Sequence, residues 1–395
     1  MAPLKYWIWL ASLPGLTNRS KLLLLEHFSS PEDVYYADEE LAVRAGLSRE
    51  QAQRIGDKSL RRTEQILSEC ARKELFAVTM ADAAYPVRLR NIYDPPLLLY
   101  GKGAMPLFDE EAAIGVVGTR KATPYGVQAA EELSCQMARQ GALIVSGMAL
   151  GIDAAAHRGA LRAGGFTAAV LGCGVDMVYP EANRRIYEDI AATGVLLSEY
   201  PPGSGSDGWH FPARNRIISG LSAGVLVVEA PKGSGALITA NMALEQGRDV
   251  FAVPGPIDAP NSWGCHQLIR GGAGLVSDAW DLLSEYEGHF PHKLHLKEEK
   301  LTSVFQEEPA IVLPGETTEE LPLIDGTRWQ ALDDDQRRIL RTMQTAPMLT
   351  DDIADAAELP VRRVLSALTV LEIEGCVRSE GGRYFTLAVR LNGEE

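Results

Sequence analysis

Two periodicities divide the chain. Up to about Tyr100 apolar positions recur at helical spacing, punctuated by two similar stretches, "LPGLTNRSKLLLLEHF" from Leu13 to Phe28 and "RAGLSREQAQRI" from Arg44 to Ile55. Each is a Gly-Leu turn, a hydroxyl residue and an amphipathic segment. Thr17 and Ser48 stand at N-cap positions, where a side-chain oxygen accepts an otherwise unpaired amide of the first helical turn. From about Ile114 the pattern changes to short, almost uninterrupted runs of Val, Ile, Leu and Ala: "AIGVV", "ALIVSG", "TAAVLG", "GVLLSEY", "GVLVVEA", "DVFAVPG" and "GLVSD", separated by helical segments. Strands that are apolar on both faces are covered on both faces, which predicts a parallel sheet with right-handed helical crossovers.

The expected fold class is therefore α/β: a Rossmann-like, doubly wound, mostly parallel sheet over residues 85–284, preceded by a helical domain over residues 1–84. Residues 285–330 lack periodicity and contain "KEEK", "QEEP" and "PGETTEE", which read as a flexible acidic linker. Residues 331–395 give three helices, "DDDQRRILRTM", "TDDIADAAEL" and "PVRRVLSALTVLEIEG", followed by "CVRSEGGRYFTL", a hairpin with Gly381 and Gly382 at its turn. That order is the order of a winged helix.

With 395 residues, 46% hydrophobic and 23% charged, the chain has the composition of a multi-domain globular protein. The opening "YWIWLASLPGL" lacks a basic lead and is broken by Pro14 and Gly15, and no run has the length of a membrane span, so a cytoplasmic location is expected. The five cysteines are scattered without a C-x-x-C pair and read as reduced thiols. A net charge of -15 disfavours indiscriminate nucleic-acid binding, but binding depends on where cations cluster. "HFPARNRIISG", His210 to Gly220, is such a cluster.

In open α/β sheets the functional crevice lies beyond the carboxyl ends of the strands. The turns there are "GTRKATPYG", "SGMALGIDAAAH", "GCGVDMVYP" and "PKGSGALITA". Glycines let backbone amides approach an anion, and each following helix offers its positive end, so phosphate is the expected guest. Gly118, Gly147, Gly151, Gly172, Gly174, Gly233 and Gly235 are the candidate glycines, with Ser146, Ser234 and Thr239 as hydroxyl donors and Arg120, Lys121 and Lys232 as cations. A glycine at a strand end also serves tight turns in any α/β protein. Neither G-x-G-x-x-G after the first strand nor G-x-x-x-x-G-K-[ST] occurs, which disfavours NAD and NTP hydrolysis. No cofactor is expected. Asp153 and His157, four apart on a helix, have the spacing of an acid-base dyad, although Asp153 also suits a helix first turn. Cys173 has no evident partner and reads as a turn residue, and His289, His292 and His295 read as incidental rather than metal-binding.

At "GTRKATPYG", "SGMALGIDAAAHRGAL", "GCGVDMVYP", "LSEYPPG", "FPARNRIISGLS", "VVEAPKGSGALITANMALEQGR" and "FAVPGPIDAPNSWGCHQLIRGGA" the chain resembles the DprA/Smf family of DNA-processing proteins. The first domain resembles a SAM-like or helix-hairpin-helix unit, a fold that touches DNA through its turns or serves packing alone. The family resemblance implies a non-enzymatic homodimer that binds and protects single-stranded DNA and helps load the RecA recombinase during natural transformation, with single-strand-binding protein as a further partner. It places Arg120, Phe211, Arg214 and Arg216 at the DNA site, with Lys232 joining them, Phe211 stacking on a base and the arginines holding phosphates; Asn215 is a candidate for hydrogen bonds to backbone or sugar. Some relatives carry lysine where this chain has Gly208, so His210 is a candidate replacement. The third domain carries Arg362 and Arg363 on its candidate recognition helix, but also Glu372 and Glu374, a balance that suits a protein partner better than a DNA groove. Two other readings stand beside these: a nucleotide- or phosphosugar-processing enzyme using the same crevice, and arginines 214 and 216 merely paired with acids such as Glu229.

Overall fold

In the computed structural model, residues 2–295, 324, 326–343, 348–379 and 384–389 are described. Two compact units result, one up to Glu298 and one from Glu299 onward. Among the described residues of the first, nine strands form one sheet: β1 Phe76–Thr79, β2 Leu98–Gly103, β3 Ala113–Val117, β4 Leu143–Ser146, β5 Thr167–Val170, β6 Val195–Ser198, β7 Gly224–Val227, β8 Asp249–Ala252 and β9 Gly274–Leu275. Their order across the sheet is β1-β2-β6-β5-β4-β3-β7-β8-β9. All neighbours from β6 to β9 pair in parallel, as the runs of branched residues require. At the far edge β2 joins β6 antiparallel and β1 joins β2 antiparallel. These two strands lie within or at the end of the stretch, up to about Tyr100, whose apolar positions recur at helical spacing, and that surrounding pattern masks them.

The period of two along each strand divides the core. Val117, Val145, Val170, Val225 and Val227 face one side, where they meet Ile217, Leu221, Ala236, Ala240 and Ala243 of helices His210–Leu221 and Gly235–Glu245. Ile114, Val116, Ile144, Leu226 and Val228 face the other and pack on Ala130, Leu133, Met137, Ile152, Ala156 and Ala160 of helices Pro124–Arg139 and Ile152–Arg162. Each fully buried Val or Leu contributes about 1.5–3 kcal/mol. The chain winds outward from β3 to β6 in one direction, then returns to β7 on the other side of β3. The turns after β3 and β7 lead to helices on opposite faces and part, leaving a crevice at their carboxyl ends.

Six helices from Leu4 to Arg72 form the amino-terminal region around Ile8, Leu10, Leu24, Val34 and Ile55. Thr17 accepts the amide of Ser20, and Ser48 forms a capping box with Gln51, so both expected caps are present. The linker expected from Glu285 does not begin there. Tyr286, Phe290 and Leu294 recur every four residues and pack against the sheet, and the Tyr286 hydroxyl donates to Asp249 at 2.7 Å. Residues 296–323 lie outside the described residues.

The second unit has helix Gly326–Ala331, then Asp334–Thr342, Thr350–Ala357 and Val361–Ile373, with β10 Met348–Leu349, β11 Val377–Ser379 and β12 Tyr384–Leu387 in the order β10-β12-β11. Its core is Ile339, Leu340, Ile353, Val364, Leu368 and Leu371. Gly381 and Gly382, expected at the hairpin turn, lie outside the described residues. Among the described residues no helix is long and apolar enough to cross a membrane.

Helices Pro124–Arg139 and Ile152–Arg162 meet at Gly159, where a Cβ would stand 2.2 Å from the Glu131 carbonyl oxygen. Gly159→Ala is expected to cost about 1–3 kcal/mol in urea unfolding. Gly288→Ala, into open space, is expected to change stability by less than about 0.5 kcal/mol. Equal effects would contradict this packing.

Candidate nucleic-acid interface

The crevice is a cleft of about 660 Å³, lined by the turns after β3 and β7 and by one face of helix His210–Leu221. Gly118, Arg120, Phe211, Arg214, Asn215, Lys232, Ser234, Gly235 and Thr239 all line it. Within the helix the lining positions are 211, 212, 214, 215 and 218, and of these 211, 214, 215 and 218 are the i, i+3, i+4, i+7 set of one helical face.

The two arginines of "FPARNR" occupy different faces, and neither reaches into solvent. Arg214 is 3% exposed on the cleft floor; its Nη1 donates to the Gly147 carbonyl at 2.6 Å and to that of Val170, and its Nε to Asn215 Oδ1 at 3.2 Å. Arg216 points away from the cleft. It donates in bidentate fashion to Glu199 at 2.8 and 2.6 Å, and its Nε reaches the Asp94 carbonyl at 2.7 Å and the Asp94 carboxylate at 3.0 Å. Burial disfavours this charge, but Glu199 and Asp94 outweigh burial and raise the guanidinium pKa. Arg216 as a phosphate ligand is thus corrected: it is an internal clasp. Glu229, the suggested acidic partner, instead accepts the Thr123 amide at 2.9 Å and the Asn261 side chain at 3.3 Å.

The exposed cations of the cleft are Arg120 and Lys232. The Arg120 guanidinium lies 5.0 Å from the Phe211 ring centroid, and the Phe211 ring lies against Tyr179, with centroids 5.5 Å apart at 32°. Lys232 Nζ stands 5.9 Å from the Trp263 ring. Tyr179 and Trp263 were in motifs read from sequence but were not singled out. An aromatic immediately before a proline at a strand-end turn was the available signal for Tyr179.

Several other expected contacts move elsewhere. Ser146 is fully buried and donates to the Val116 carbonyl at 2.6 Å, so it offers nothing to a ligand. Lys121 is exposed but off the cleft, and its carbonyl accepts from Asn261. Gly147 is glycine because a Cβ would stand 2.5 Å from Arg214, and Gly172 because the Phe211 ring covers it. Both line a smaller cavity of about 60 Å³ behind that ring. Gly174 is packed against Asp176 and Pro201. Gly235, by contrast, faces open space at the start of helix Gly235–Glu245, where Ser234 accepts the Ala236 amide at 3.3 Å. This is the turn open to an anion. Thr239 lines the cleft one turn on, with its hydroxyl turned to the Gly235 carbonyl at 3.4 Å. His210 is buried, bonded to the Gly172 carbonyl at 3.0 Å and stacked on Tyr200, and does not replace a surface lysine.

Asp153 and His157 do not form a pair. Asp153 lines the cleft floor and accepts the Ala149 amide at 3.4 Å; burial raises its pKa while Arg214 opposes that. His157 bonds the Thr167 hydroxyl at 2.8 Å, and burial pushes its pKa down to about 3. Cys173 is buried, and burial pushes its thiol up to about 11.

Residues 76–287 match the family model described as DNA recombination-mediator protein A, and residues 328–383 match that of the DprA winged helix domain. The chain belongs to the DprA/Smf family. Protein Smf of Synechocystis sp. is 36% identical over 397 aligned positions, covering 95% of this chain and 97% of that protein. DNA processing protein DprA of Streptococcus pneumoniae is 47% identical over 209 positions, 53% of this chain and 73% of that protein. The X-ray structure of DNA processing protein A from the same organism superposes with a TM-score of 0.64 at 38% identity, covering 72% of this chain and 99% of that one. In the DprA winged helix of this chain, Arg363 is tied to Asp335 at 2.7 and 2.8 Å, while helix Val361–Ile373 exposes Leu365 and Ile373 beside Arg362.

Arg216→Ala strands Glu199 in a largely buried site and is expected to cost about 3–5 kcal/mol in urea unfolding. Arg120→Ala, at the surface, is expected to change stability by less than about 0.5 kcal/mol. Reversed magnitudes would contradict the division between clasp and cleft.

Proposed function

We propose that this DprA/Smf protein binds single-stranded DNA in the cleft between the turns after β3 and β7, and acts as a recombination mediator rather than as an enzyme. The carrying observation is the arrangement in that cleft of two exposed cations, Arg120 and Lys232, around the Phe211–Tyr179 pair. Cations neutralise successive phosphates, and an aromatic face receives any base at about 1–3 kcal/mol each. A base reaches such a pair only when its own face is free, which a duplex does not allow. The Arg120 guanidinium can pair with phosphate through its in-plane N–H groups while its face lies over the Phe211 ring.

The non-enzymatic reading is supported by the state of the polar groups below. Asp153 and His157 are each engaged elsewhere, and Cys173 is buried without a base. The further roles, protecting incoming DNA, loading RecA recombinase during natural transformation, contacting single-strand-binding protein and forming a homodimer, rest on the seven ordered motifs. Within the site, Arg214 acts from beneath: it fixes the helix and adds positive potential that Asp153 partly offsets.

Fluorescence anisotropy with labelled oligo-dT across a salt series tests the reading. Single strands are expected to bind more tightly than duplex, with log K falling linearly with log salt. Arg120→Ala and Lys232→Ala are each expected to weaken binding and make that slope shallower by about 0.7. Equal binding of duplex and single strand, or unchanged slopes in both variants, would contradict it.

A further inference from the structure

The residues of the cleft leave one neighbouring aromatic without a task. Trp209 is 67% exposed at the start of helix His210–Leu221. On either side of it in sequence, Ser206, Gly208, Phe211 and Pro212 line the cleft while Trp209 itself does not, so its backbone borders the cleft and its side chain lies just outside it. Its mounting is firm. The indole meets His210 edge-on, centroids 4.1 Å apart at 71°, and Tyr200 at 6.2 Å and 85°, while His210 and Tyr200 stack at 3.8 Å. His210 is in turn tied to the Gly172 carbonyl. Despite these contacts, most of the indole remains open to solvent. Gly208, the residue before it, carries no side chain and faces open space.

A polymer held in a cleft must leave it, and its next base then meets whatever the rim presents. We propose that Trp209 is a stacking platform for a base of single-stranded DNA lying outside the cleft, so that the binding site extends beyond the Phe211 pocket and affinity depends on strand length. This rests on the strand-binding reading above. A sequence-tolerant contact is expected, because every base has a π face. Buried His210 and half-buried Tyr200 pack against the indole and contribute position rather than contact.

The test uses the full chain and two labelled oligo-dT probes of about 5 and about 20 nucleotides, which bracket the usual single-strand site sizes. Trp209→Ala is expected to weaken binding of the longer probe by about tenfold and of the shorter one by less than about twofold. Trp209→Phe, which keeps a ring, is expected to restore most of the loss, and the longer probe is expected to quench more tryptophan fluorescence in wild type than in Trp209→Phe. If Trp209→Ala binds both probes like wild type while Arg120→Ala weakens both, the platform is overturned and the cleft reading stands. If wild type binds neither probe, or Arg120→Ala changes neither, both fail together.

Discussion

Two buried guanidinium groups hold the element on which the site depends. Helix His210–Leu221 crosses the carboxyl end of the sheet, and Arg214 ties it to the carbonyls of Gly147 and Val170, the turn after β4 and the last residue of β5. Arg216, on another face, ties it to Glu199 just after β6 and to Asp94. A helix pinned to three strand ends cannot rotate, so Phe211 and Asn215 are delivered to the cleft in a fixed orientation. The charges used for this are satisfied inside the protein, by carbonyl dipoles and a bidentate carboxylate, which is what makes them tolerable at such burial.

The cleft therefore separates scaffold from contact by exposure. Arginines 214 and 216 shape it, while Arg120 and Lys232 face solvent from the turns after β3 and β7. These turns part because the winding direction of the sheet reverses at β3, a feature of chain topology rather than of any one residue. A chain with a net charge of -15 can in this way keep a local anion site, because the two exposed cations of the cleft meet at one crevice.

Much of this was legible in the sequence. Runs such as "GVLVVEA" gave the parallel strands, and "SGALITA" the helix start that faces open space. β1 and β2 escaped because the helical spacing of the residues around them, up to about Tyr100, dominates the pattern there, and the packed segment around Tyr286, Phe290 and Leu294 because neighbouring acids masked its four-residue spacing. In "FPARNR" the two arginines look equivalent by composition, yet helical phase separates them: 214 shares a face with 211, 215 and 218, and 216 does not. Gly147, Gly172 and Gly174 look like phosphate glycines from their position after strands, but their space is taken by Arg214, by Phe211 and by Asp176 and Pro201. Which side chain fills a gap is a tertiary fact, and one strand-end glycine reads like another until its neighbours are in place.

The central claim is that a single strand lies in the cleft against Phe211 and Tyr179. Photocrosslinking with an oligonucleotide carrying 5-iododeoxyuridine, followed by peptide mapping, addresses it most directly, because the photoproduct forms with an aromatic ring in stacking contact. Crosslinks are expected on the peptides containing Tyr179 or Phe211. Crosslinks confined to helix Val361–Ile373 or to the helices before Arg72 would contradict it.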